Sequence, residues 1–89
     1  IAIDPGLTGV TIRDLTITNG KSPGVGGGIS NGTAQTTLVN VLISDNVAET
    51  RGGGLDINGG GRVSLTNSEI TNNFAGDFGG GVFTYGIIE

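Results

Sequence analysis

The sequence predicts an all-β chain wound as a right-handed, three-sided parallel β-helix of about three coils, each 26–27 residues long. Two observations predict it. The segments Thr11 to Ile29, Thr37 to Leu55 and Ser64 to Val82 align without a gap, the first pair offset by 26 residues and the second by 27. A fixed period in this range marks a solenoid, whose units bury their apolar faces only by stacking on one another. Within each unit, short runs rich in β-branched residues alternate with period two, and no stretch sustains helical spacing. The 19 glycines also oppose helices and suit tight bends.

Taken along the chain, Ile1-Ala2-Ile3-Asp4 reads as the last strand of a preceding coil, and the three repeats span about 10–35, 36–62 and 63–89. Val10-Thr11-Ile12 opens the first repeat as an alternating run. Leu15-Thr16-Ile17-Thr18 resumes the alternation after a one-residue slip, and Gly28-Ile29 begins a third extended piece. Three strands and three bends make one coil, with each strand bonded to its counterpart about 4.8 Å away in the next. Identical columns must then stack. The inward ones are expected to be Ile12/Leu38/Leu65, Leu15/Val41/Ser68, Ile17/Ile43/Ile70 and Ile29/Leu55/Val82, with the small column Ser22/Ala48/Ala75 entering from a bend.

The remaining columns supply the corners. Gly26-Gly27-Gly28, Gly52-Gly53-Gly54 and Gly79-Gly80-Gly81 fall where the chain must turn close to the coil above, which calls for positive φ or for no Cβ. Asp14/Asn40/Asn67 and Asn19/Asp45/Asn72 are residues that tolerate the left-handed conformation and bond local backbone. One dipeptide argues the other way. Asn31-Gly32 is a strong hairpin signal and would close an antiparallel pair, and Asn31-Gly32-Thr33 is also a glycosylation sequon. The repeat register outweighs the hairpin signal.

Composition narrows the chemistry. The net charge is −4, and Arg13, Lys21, Arg51 and Arg62 are scattered, which disfavours a nucleic-acid or anionic-membrane surface. No apolar run is long enough to span a bilayer. Without histidine or cysteine, these residues hold no imidazole or thiolate metal site, no Ser-His-Asp triad and no disulfide. The glycine triads match neither a P-loop nor a dinucleotide fingerprint, so bends are the expected role. Asp45, Glu49 and Asp77 are too few carboxylates for a calcium cage, which needs six to eight oxygens. No metal, cofactor or catalytic residue is therefore expected in the segment. Phe74, Phe78, Phe83 and Tyr85 all fall in the last repeat, where they are expected to pack beneath its loop; the alternative is a small sugar-stacking surface.

Leu65-x-Asn67-x-x-Ile70-x-x-Asn73-x-Ala75 followed by Gly79-Gly80-Gly81-Val82 resembles the repeats of bacterial surface proteins with a right-handed parallel β-helix. These are the pectin-lyase-like solenoids and the polymorphic outer-membrane-protein-like repeats. The second repeat keeps Leu38, Asn40, Ile43, Asn46, Ala48 and Gly52 to Leu55, whereas the first departs at Asp14, Gly20 and Ser22. The resemblance implies a bacterial protein, secreted or on the outer membrane. Such solenoids include lyases, which use a carboxylate-bound calcium with a basic residue, and hydrolases, which place close aspartates on one wall. Here Arg13, Asp14 and Asp56 stand isolated in their columns. The expected function is a non-enzymatic structural or adhesive repeat region that contacts carbohydrate or host and cell-surface ligands. The alternative is a fragment of a pectin-lyase-like carbohydrate-active enzyme with its active site on other coils. The apolar ends Ile1-Ala2-Ile3 and Ile87-Ile88 lead to the expectation of a longer solenoid, whose neighbouring coils would cover them.

Overall fold

The computed structural model describes residues 1–89 as eleven strands with no helix. The first coil holds β1 (Val10–Thr18), β2 (Lys21–Ser22) and β3 (Ile29–Gly32), and the second holds β4 (Gln35–Ser44), β5 (Val47–Ala48) and β6 (Leu55–Ile57). The third holds β7 (Arg62–Thr66), β8 (Glu69–Thr71), β9 (Phe74–Ala75) and β10 (Val82–Thr84), after which β11 (Ile87–Ile88) rejoins the first wall. Every pairing is parallel. The first wall runs β1-β4-β7-β11 with β8 also against β4, the second β2-β5-β9 and the third β3-β6-β10. The result is a three-sided β-solenoid.

The register is the one that the repeat alignment predicts. Ile12 pairs with Leu38 and Leu38 with Leu65; Ile17 pairs with Ile43 and Ile43 with Ile70; Leu55 sits between Ile29 and Val82. Ile17, Ile29, Leu38, Val41, Ile43, Leu55, Ile57 and Val63 form the buried core, with Ile12, Leu65, Ile70 and Val82 packed at its edges. Burial is deepest in the second coil because only that coil is flanked on both sides. Leu15 departs from expectation: it lies in register with Val41, which is 2% exposed, yet is itself 42% exposed. Leu15 itself has a coil on one side only, and it lies next to the Asp14 bend, where it lines the groove that follows it.

Both polar columns take the left-handed conformation, with φ between 47° and 60° at Asp14, Asn40, Asn67, Asn19, Asp45 and Asn72. Only short polar side chains and glycine visit that region at low cost. The Asp14 and Asn40 positions bend β1 and β4 in mid-strand, and the same bend at Asn67 separates β7 from β8. The first glycine of each triad takes positive φ in every coil, and in the first two coils the second glycine passes against the next coil. Gly26, Gly52 and Gly79 have φ of 61–65°, and a Cβ on Gly27 would lie 2.5 Å from the Val47 and Gly53 carbonyl oxygens. That contact is impossible for any other residue.

Asn31-Gly32 forms no hairpin. Gly32 has φ 56° and ends the parallel strand β3 at a register shift against β6. Asn31 is fully buried, its Nδ2 donating to the Ala34 carbonyl (2.9 Å) and its Oδ1 accepting from the Thr36 hydroxyl (2.6 Å). The sequon nitrogen is thus consumed inside the wall. The Asn58–Gly61 turn then takes up the extra residue that lengthens the offset from 26 to 27, as the Ser30–Asp56 and Gln35–Arg62 partnerships record.

Candidate functional site

Alternation along the third wall sends Leu55 and Ile57 into the core, so Asp56 between them points outward. Its column is Ser30/Asp56/Phe83, and beside it runs the column Val25/Arg51/Phe78. The second coil therefore supplies Arg51, Asp56 and Asn58 to this face, and the third supplies Phe78, Phe83 and Tyr85. A row of polar groups lies against a row of rings.

The two rows are joined through Arg51. Its Nε donates to Asp56 Oδ1 at 2.9 Å and its Nη2 to Asn58 Oδ1 at 3.0 Å. Its guanidinium carbon sits 4.8 Å from the Phe83 ring centroid and 5.6 Å from that of Tyr85, within cation–π range. The rings support one another: Phe83 meets Tyr85 edge to face at 5.1 Å, and Phe78 lies 6.1 Å from Phe83. Asp56 is 1% exposed although it faces outward, and its Oδ2 is buried without a hydrogen-bond partner. The carboxylate holds and neutralises the guanidinium from beneath. Thr50, Arg51, Phe78, Phe83 and Tyr85 line a groove of about 330 Å³ above it.

Sequence reasoning placed these residues only in part. Asp56 is not isolated, because its partner Arg51 lies five residues earlier in the same coil, around the Gly52–Gly54 bend, and not in its own column. The rings also correct the packing expectation. Phe78 and Tyr85 are 64% and 71% exposed, Phe74 is exposed on the second wall, and only Phe83 is half-buried. Tyr85 thus belongs to a surface cluster.

The other candidates remain apart from this site. Arg13 and Asp14 form an exposed ion pair (3.4 Å) on the first wall, where Asn40 Nδ2 also donates to Asp14 Oδ1. A second groove of about 360 Å³ follows that bend past Asp14, Asn40, Asn67 and Glu69. Asp45, Glu49 and Asp77 do not come together, and nowhere do three potential metal-ligating side chains gather. An asparagine spine went unassigned in the sequence: the buried Asn46 and the half-buried Asn73, which recur in the repeat wording, lie at the corner between the first and second walls. Asn46 Oδ1 accepts from the Gly20 N–H (2.8 Å) and its Nδ2 donates to the Ile17 carbonyl (3.0 Å); Asn73 Nδ2 donates to the Ile43 carbonyl (2.9 Å). No family model, no curated protein and no solved structure matches the chain.

Proposed function

We propose that this chain is a non-enzymatic structural and adhesive repeat region of a secreted or cell-surface protein, and that the outer face of its third wall contacts carbohydrate. The observation that carries the reading is the ring cluster of Phe78, Phe83 and Tyr85 held on a flat wall beside Arg51. Exposed apolar rings cost solvation energy, and rings beside a few fixed polar groups are the usual composition of a ligand-contact surface. The solenoid suits display, because a wall built from stacked strands presents its side chains at fixed spacing. The resemblance of the repeats to those of bacterial surface solenoids supports the same setting, and the pectin-lyase-like family is the relationship proposed.

The test is a glycan array probed with the purified chain, beside its Phe78→Ala/Tyr85→Ala variant. Retention of wild-type chain on a set of glycans, lost in the variant at unchanged melting temperature, is the expected result. Equal signals from the two proteins would remove the third wall as the contact surface.

A further inference from the structure

Resting on that reading, we infer that the groove beside Arg51 recognises neutral pyranose oligosaccharides and discriminates against acidic ones. Three features of the site lead there. The first is charge balance. Arg51 is the groove's only cation, and Asp56 neutralises it at 2.9 Å from a buried position that solvent does not screen. An anionic sugar therefore meets no net positive charge. No second cation lines the groove to restore a positive balance: its other lining residues are Thr50, Phe78, Phe83 and Tyr85.

The second feature is the donor set. A guanidinium carries five N–H groups. Two are committed to Asp56 and Asn58, which leaves three for acceptors such as sugar hydroxyl oxygens. Because Asp56 and Asn58 fix the plane of the guanidinium, these donors keep one orientation and lose little freedom on binding. The third feature is the platform. Tyr85 and Phe78 present exposed ring surface next to those donors, and a pyranose with axial C–H bonds on one face has an apolar side that fits a ring while its equatorial hydroxyls reach sideways. Ring contact and sideways donors together describe a neutral sugar. Asp56 is a positioning residue in this arrangement, since it sets the charge and angle of Arg51 without reaching the groove.

Tyr85 is the chain's single tyrosine and tryptophan is absent, so intrinsic emission reports on this groove alone. The experiment titrates the full chain with cellohexaose, mannohexaose and xylohexaose, and with hexagalacturonate at the same ionic strength, following tyrosine emission and binding heat. At least one neutral oligomer should bind ten-fold or more tightly than hexagalacturonate. Tyr85→Ala should weaken that affinity ten-fold or more with the melting temperature unchanged. Asp56→Asn, which releases the charge of Arg51, should narrow or invert the preference by strengthening hexagalacturonate binding; if it does not fold, the wild-type comparison and Tyr85→Ala decide alone. Tight binding of hexagalacturonate with no neutral ligand would overturn the specificity and leave the carbohydrate-contact reading intact. Binding of none of the four oligomers would overturn both. A neutral preference that Asp56→Asn leaves unchanged would remove charge balance as its cause.

Discussion

Asn46 shows what one side chain carries in a solenoid. It bonds the Gly20 amide and the Ile17 carbonyl of one coil, and reaches Asn73 Oδ1 in the next at 2.9 Å; Asn46 and Ile17 are buried, Gly20 and Asn73 half-buried. Asn46→Leu keeps the branched shape but orphans two backbone groups, each worth about 1–3 kcal/mol when left unpaired in the interior. Urea denaturation should show a loss of about 3 kcal/mol, whereas Asn72→Ala, at an exposed left-handed position, should cost about 1 kcal/mol or less through backbone strain. Arg51 and Asp56 allow a different test. Removing Arg51 leaves a carboxylate that is 1% exposed without its counter-charge, so Arg51→Ala should destabilise by about 3 kcal/mol. The double variant Arg51→Ala/Asp56→Ala should recover part of that loss. A double variant as unstable as the sum of the two singles would show that the pair is not coupled.

At the scale of strands, stability is shared between coils and depends on how many neighbours a strand has. Ile43 on β4 has Ile17 on one side and Ile70 on the other, whereas Ile70 on β8 is only half-buried. Ile43→Ala should therefore cost about 2–5 kcal/mol, and Ile70→Ala clearly less, in parallel chemical melts. Equal losses would mean that burial by flanking coils does not set the energetics. The same dependence explains what was legible in the sequence. In a parallel in-register stack, aligned residues are touching residues, so Ile17/Ile43/Ile70 and the glycine triads could be read directly from the repeat. Leu15 departs from the reading because alignment reveals a column but not that its end member, next to the Asp14 bend, opens onto a groove, whereas Ile17 with the same single covering coil is buried. Arg51 and Asp56 were missed because their contact runs around a corner within one coil, where the repeat carries no information. The ring cluster was placed in the wrong environment for a related reason: the column Ser30/Asp56/Phe83 has no common chemistry, so alignment could not mark its outward direction.

For the whole molecule, the distribution of carboxylates decides what chemistry is open to it. Glycoside hydrolysis needs two carboxyl groups facing one bond, and calcium-assisted elimination needs several carboxylate oxygens on one ion together with a base. Asp14 is engaged by Arg13 and Asn40, Asp56 is sealed beneath Arg51, and Glu89 is paired with Arg62 at 2.7 Å. Asp45, Glu49 and Asp77 do not gather into a metal-ligating group. Purified chain incubated with polygalacturonate and with pectin should therefore release neither unsaturated products nor new reducing ends, and its melting temperature should be the same with calcium as with chelator. The groove along the Asp14 bend is where the opposite result would have to arise, because Asp14 and Glu69 both line it. Turnover that disappears in Asp14→Asn or Glu69→Gln, while the Tyr85→Ala variant keeps it, would make the first wall a catalytic surface and the display reading secondary. Turnover abolished by Asp56→Asn instead would require the carboxylate beneath Arg51 to open to solvent during the reaction, which hydrogen exchange at Leu55 and Ile57 would register.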